Sequence, residues 1–418
     1  MIGGAIYSSS CFSLADLGSA RLVLLVWLIA GILAVCGAIG YGALASRLPF
    51  SGGEYLYLSR LVHPSVGFLA GWISLVAGFT APIAYAAKLV GEYALPKDMA
   101  TFEYKGAVAT IAIIIASLLH AWHVKIGAWF QNGVVATKLL FLTFFLLVAV
   151  SLGPTTGWQS GEYASATLKP DTTLFQTLNM VFSALVWVVL AYTGFNASVY
   201  LAGEVSSGDR RVPRSMWVAT LIVTFFYLAL NAVFLYAIPP EKIAGNTSFV
   251  ADVANAIGGQ KLEWLMRLAI VLSQVTSVFA MLMTGPRVYA QMAEDGVMPK
   301  IFVSRGGIPR VAILIQALLS IVVVWLSSLE SLLSYLGLTL TVCGAMAIAS
   351  GWMIRWRYPE ATPLRWYEHG AMAVFVISSI GLLLVAWQFK PEQFYISVGT
   401  FAVGMLLYGI SVLLPKRS

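Results

Sequence analysis

Residues 191–198 read Ala-Tyr-Thr-Gly-Phe-Asn-Ala-Ser, well inside an uncharged run that extends from 174 to 203. A run of that length is enough for one helix to cross a hydrocarbon core of about 30 Å. Gly, Thr, Asn and Ser in close succession break a helix there and release backbone N–H and C=O groups that lipid cannot satisfy. A second interruption stands at the start of the chain, where Gly3 and Gly4 lie within Ile-Gly-Gly-Ala-Ile-Tyr at 2–7. Paired breaks at matching positions in two repeats build a transport site near the bilayer midplane. An amino acid zwitterion suits such a site, its carboxylate facing the N–H groups and its ammonium the carbonyls. The plainer reading of membrane glycines is close packing, as expected for Gly67 and Gly71 at GxxxG spacing.

Composition sets the context for these breaks. Of 418 residues, 59% are hydrophobic and only 10% charged, against roughly a quarter charged in soluble domains. A soluble globule of this length cannot hide so much apolar surface, so the solvent is lipid. Apolar runs fall at 22–46, 65–91, 106–122, 127–152, 174–203, 215–238, 262–292, 311–327, 331–354, 370–389 and 394–414. That makes eleven full-length spans. The segment 1–17, with no charged flank, reads as the second half of a twelfth. If loops alternate and the C-terminal Pro-Lys-Arg-Ser is cytoplasmic, 15 of the 25 basic residues fall inside and 8 outside, with Lys88 and Lys138 in the membrane. The net charge of +7 thus records orientation and makes no argument for nucleic acid. Cys11, Cys36 and Cys343 lie far apart in apolar stretches and read as core residues, without a disulfide or metal framework.

Lys138 stands apart from the other basic residues. It lies eleven residues into the run 127–152, so a rise of 1.5 Å per residue puts it about 16 Å deep. A side chain reaching roughly 6 Å cannot snorkel from that depth. Its ammonium must face a cavity, find a partner or lose its proton, which makes it a proton acceptor or a fixed charge where a cation would otherwise bind. A structural lysine held by carbonyls at a kink is the alternative. Lys88, near an outer end, can snorkel.

Taken in order, these stretches resemble the amino acid-polyamine-organocation family of permeases, which share the LeuT-type inverted-repeat fold. Ile2-Gly-Gly-Ala-Ile-Tyr7 is similar to the family's first-helix motif, and Pro49-Phe-Ser-Gly-Gly-Glu-Tyr-Leu-Tyr-Leu58 to its stretch after helix two. Ala191-Tyr-Thr-Gly-Phe-Asn196, with Gly203-Glu-Val205 and Arg210-Arg-Val-Pro213, resembles the broken sixth helix and its exit loop. Gly285-Pro-Arg-Val-Tyr289 and Asp295-Gly-Val-Met-Pro299 resemble the end of helix eight. The resemblance implies an all-α membrane protein of twelve transmembrane segments, the first truncated at its N-terminal half. Residues 1–152 would form the first inverted repeat, 174–354 the second, and 370–414 two helices outside the 5+5 pattern. It further implies that Gly3, Gly4 and Ala5 bind the substrate carboxylate, and that Ala191, Tyr192, Gly194, Phe195 and Asn196 belong to the segment holding the ammonium. Tyr192 or Phe195 would be an aromatic lid, Lys138 would replace a sodium ion of sodium-coupled relatives, and Glu204 would be a gating acid. Two departures stand out: Ala5 replaces the motif's second glycine, and the half-helix before the motif is absent.

With all 18 Asp and Glu in expected loops or helix ends, a second substrate cation would lack a counter-ion. Ser183, Asn196, Ser273, Gln274 and Ser277 are the polar lining candidates. The expectation is a multi-pass permease of the cell membrane that carries neutral amino acids by proton symport or exchange, with no cofactor and no metal. The alternative is a non-transporting amino acid sensor or a truncated, inactive relative. A membrane enzyme would need clustered His, Asp, Glu or Cys in the bilayer, whereas His63, His120, His123 and His369 fall in or near loops.

Overall fold

Each of the eleven apolar runs contains helix in the computed structural model, which describes residues 3–48, 53–96, 101–122, 128–152, 173–196, 199, 211–303 and 309–413. A 3-10 turn, Gly4–Tyr7, leads into α1 (Ser9–Leu17), followed by α2 (Ala20–Arg47), α3 (Gly53–Leu61) and α4 (Pro64–Ile73). A π-helical turn, Ser74–Thr80, joins α4 to α5 (Ala81–Ala94); then come α6 (Phe102–Trp122), α7 (Ala128–Leu152) and α8 (Leu174–Tyr192). The second half holds α9 (Arg211–Ala237), α10 (Pro240–Ile243), α11 (Phe249–Glu294), α12 (Arg310–Leu326) and α13 (Leu329–Ser350). The chain closes with α14 (Ile354–Arg357), α15 (Trp366–Phe389) and α16 (Pro391–Leu413).

Eight helices are long and apolar enough to cross a membrane, and three further apolar stretches, Ala136–Leu152, Gln176–Tyr192 and Arg310–Leu326, are shorter. Eight of the eleven expected spans therefore reach crossing length among the described residues, and the three shorter stretches fall on the other three. Local chemistry explains several ends. The Ser19 hydroxyl caps α2 by accepting from Leu22, and Gly18, at φ 61°, lets α1 stop and the chain reverse. Thr173 with Gln176, and Ser328 with Ser331, form reciprocal caps on α8 and α13. Inside α11 the backbone leaves the helix at Gly258 and Gly259, the latter at φ 67°, so the run 262–292 begins just past a real interruption.

Packing divides the helices into two groups. α2 packs most extensively on α9 and also on α8 and α1, and α1 packs on α8; separately, α5, α6, α11 and α12 pack on one another. Lipid offers helices no hydrophobic drive to associate, so close approach through small residues matters. Gly31 of α2 shows it: a Cβ there would collide with Thr224 of α9 and meet the Tyr192 hydroxyl at 3.0 Å. Gly67 and Gly71 do pack, as the spacing suggested, but against two different neighbours, Ser59 of α3 and Met292 of α11. Outward faces stay apolar, with Leu140, Leu147, Ile114, Leu318 and Ile377 exposed, which only lipid tolerates over so wide a surface.

Candidate functional site

Both interruptions expected from the sequence are breaks in the backbone. Gly3 is extended (φ −117°, ψ −159°), Gly4–Tyr7 forms the 3-10 turn, and Ser8 lies off the helix before α1 begins. α8 ends at Tyr192; Thr193 turns out of the helix at ψ 151° and Gly194 has φ 93°. The two breaks meet at Tyr227 of α9. Its fully buried hydroxyl donates to the Ala191 carbonyl at 2.9 Å and lies close to the Gly3 backbone. The carbonyl that α8 loses at its end is thus satisfied from a third helix.

Around this junction the aromatic side chains interlock. Trp27, Tyr192 and Tyr227 pack pairwise with ring centroids 5.1–5.9 Å apart, and the Tyr192 hydroxyl donates to the Trp27 carbonyl at 2.9 Å. Trp27 donates to the Ser10 hydroxyl, Ser10 to Asn231, and Asn231 to the Tyr227 carbonyl. Phe195 packs between Tyr41 of α2 and Phe375 of α15, both at 5.9 Å, over Gly37. Tyr192 and Phe195, expected as a lid, are both packed into neighbouring helices.

A polar group of α11, Gln274, faces the first break. A Cβ on Gly4 would contact Leu89 and lie 2.9 Å from Gln274 Oε1 and 3.1 Å from Tyr85, so Gly4 fits only without a side chain. Gln274 is fully buried, and both its amide atoms lack a protein partner; a buried amide so placed calls for a polar ligand or water. Ser277, one turn on, donates to the Ser273 carbonyl at 2.9 Å, leaving its oxygen to accept from Lys138 Nζ at 3.4 Å. Among the described residues, Lys138 has no carboxylate within ion-pair distance. Lys88 donates to the Val324 carbonyl at the end of α12, at 2.7 Å.

Asn196, expected in the segment that holds the substrate ammonium, faces a buried acid. Its amide donates to Glu54 Oε1 at 2.5 Å, and the Tyr41 hydroxyl donates to the same oxygen at 2.8 Å. Glu54 is only 6% exposed. Sequence reasoning treated this acid as a loop residue of the Pro49–Leu58 motif; the structure buries it beside the second break. Tyr227 and Trp27 were missed outright, since an aromatic residue in an apolar run carries no local signal. Glu204 lies outside the described residues. His120, expected near a loop, is buried in α6 against Phe279 at 5.5 Å. Surface recesses of about 170 and 240 Å³ are lined by Tyr93 and Arg267 and by Trp352 and His369; the first touches the first break through the Tyr93 hydroxyl, which donates to the Tyr7 carbonyl at 3.2 Å.

Apolar helices of spanning length around two broken segments define a multi-pass membrane protein. Residues 1–411 match the family model described as amino acid permease, and the chain belongs to that family. It is 24% identical over 369 residues to human large neutral amino acids transporter small subunit 2, covering 86% of this chain and 68% of the relative. It is 23% identical over 374 residues to human Asc-type amino acid transporter 1, with 86% and 68% covered. To mouse solute carrier family 7 member 13 it is 23% identical over 401 residues, with 93% and 82% covered.

Proposed function

We propose that this permease is a secondary transporter carrying neutral amino acids across the cell membrane by alternating access. The observation that carries the reading is the meeting of both breaks at Tyr227. The substrate sits between Gly3–Ala5 and Ala191–Phe195, its carboxylate on the backbone N–H groups of the first break and its ammonium on carbonyls of the second. Gln274 closes the side-chain end. A carbonyl already bonded by Tyr227 keeps a second lone pair for an ammonium. The name of one relative supports a neutral amino acid and that of a second an amino acid; the occupation of Glu54 by Tyr41 and Asn196 points the same way.

In this reading the chain has twelve spans in a five-plus-five arrangement, 1–152 and 174–354, with 370–414 outside the repeats and the C-terminus cytoplasmic. The group α1, α2, α8 and α9 rocks against the rest. Lys138 couples the cycle to protons, passing or holding charge through Ser277. Uptake of labelled leucine, serine and arginine into proteoliposomes tests the substrate class: leucine or serine enters and arginine does not. Binding without flux would instead make the chain a sensor. For coupling, Lys138→Ala is expected to abolish the pH dependence of uptake; unchanged pH dependence removes Lys138 from that role.

A further inference from the structure

Glu54 stands where four elements converge. It opens α3, accepts from Tyr41 near the end of α2 and accepts from Asn196 just past the broken end of α8. α13 closes the fourth side. A Cβ on Gly344 would lie 3.5 Å from the Tyr41 hydroxyl, and the neighbouring Cys343 lies within the electrostatic reach of the Glu54 carboxylate. Cys343 is 5% exposed beneath this contact. α3 packs on α4 and α13, whereas Tyr41 and Asn196 belong to elements of the group containing α1, α2, α8 and α9. One carboxylate oxygen therefore ties α3 to the ends of α2 and α8, at the end of the molecule where α2 stops.

We propose that Glu54 is a positioning residue that latches this mouth: it holds Asn196, and with it the second break, against α3, and its release frees the ends of α2 and α8 from α3. The proposal rests on the transport reading above. Rocking α2 and α8 away from α3 must separate Asn196 and Tyr41 from Glu54, because a hydrogen bond weakens steeply once its geometry is lost. Opening forfeits two hydrogen bonds to a charged acceptor, so the closed mouth is favoured until the bound substrate offsets that cost. Nothing about the latch requires Glu54 to touch substrate. It acts by fixing where Asn196 and the chain beyond Gly194 can stand.

The native Cys343 reports the state of the mouth without any need for transport. In full-length protein carrying Cys11→Ser and Cys36→Ser, reconstituted in nanodiscs, modification by N-ethylmaleimide is followed by intact mass. Glu54→Ala is expected to speed Cys343 labelling about tenfold, the scale set by losing hydrogen bonds to a charged acceptor. Glu54→Gln keeps an acceptor oxygen and is expected to stay within about twofold of the parent rate, since neutral bonds retain part of that strength. Asn196→Ala and Tyr41→Phe each remove one donor and are expected to fall between these limits, and they decide the question if Glu54→Ala does not fold. Parental rates in all three deletion variants overturn the latch, as does a Gln variant as fast as Ala. In uptake assays Glu54→Ala is expected to lower KM, because bound substrate no longer has to offset the cost of opening. A parent that labels as described but moves no amino acid sinks the transport reading and leaves the latch standing.

Discussion

Gly4, Gly194 and Lys390 show how single residues decide what this molecule tolerates. Gly4→Ala would drive a methyl group against Leu89, Gln274 and Tyr85; substrate affinity is expected to fall by about tenfold or more while the protein stays monodisperse, since a methyl that overpacks a site costs about 1–3 kcal/mol. Gly194 is different, because its φ of 93° is itself unfavourable for any L side chain. Gly194→Ala is expected to cost roughly 1–2 kcal/mol of stability, read as a lower melting temperature in detergent. Lys390, in the turn between α15 and α16, stands 3.5 Å over the Trp187 ring and 3.7 Å from Asp16. Burial pushes its ammonium below the ordinary lysine range, and Asp16 only partly opposes that shift. A lysine whose folded pKa lies below its unfolded one costs stability wherever the unfolded chain holds the proton; the cost fades as pH rises from the folded value to the unfolded one. Lys390→Met is therefore expected to raise the melting temperature near pH 7 by about 2 °C, an advantage that vanishes above about pH 10.5, the ordinary lysine range. A gain that grows with pH contradicts this account.

At the scale of elements, the sequence showed where helices must be but not what closes their ends. The breaks at Gly3–Gly4 and Thr193–Asn196 were legible because glycine and small polar residues interrupt otherwise apolar runs. The partner that satisfies the second break, Tyr227, comes from 36 residues away and left no mark in its own run. Tyr227→Phe keeps the ring contacts with Trp27 and Tyr192 and loses only the hydroxyl. It is expected to cost about 1 kcal/mol and to slow uptake, while Trp27→Leu, which removes the aromatic knot, costs several kcal/mol by the usual penalty for truncating a buried aromatic. Equal effects of the two variants in a thermal-unfolding assay would mean that the rings, and not the hydroxyl, hold the break. The π-helical turn at Ser74–Thr80 was equally invisible, since it differs from α-helix by one residue per turn and carries no composition of its own.

Across the whole molecule, ion pairs gather where the charge count placed the loops. Arg47 at the end of α2 meets Glu368 at the start of α15 at 2.7 Å, and Arg357 reaches the carbonyls of Leu61 and Val62 beside them. Lys105 pairs with Glu92 at 2.8 Å, and Asp16 with Lys390; these four belong to the opposite set of loops in the alternation. A reporter that fluoresces only in the cytoplasm, fused after residue 418, is expected to be bright; a dark fusion that a periplasmic or extracellular reporter rescues reverses the orientation. The sequence by itself determined the solvent, the helical class and the positions of both breaks, because each depends on the polarity and conformational preference of neighbouring residues along the chain. Only the tertiary structure decided that the breaks share Tyr227, that Gln274 faces Gly4, and that Glu54 is buried against Asn196. Those facts depend on residues brought together from distant helices, and helix packing in lipid is set by shape and hydrogen bonding, which no local stretch of sequence encodes.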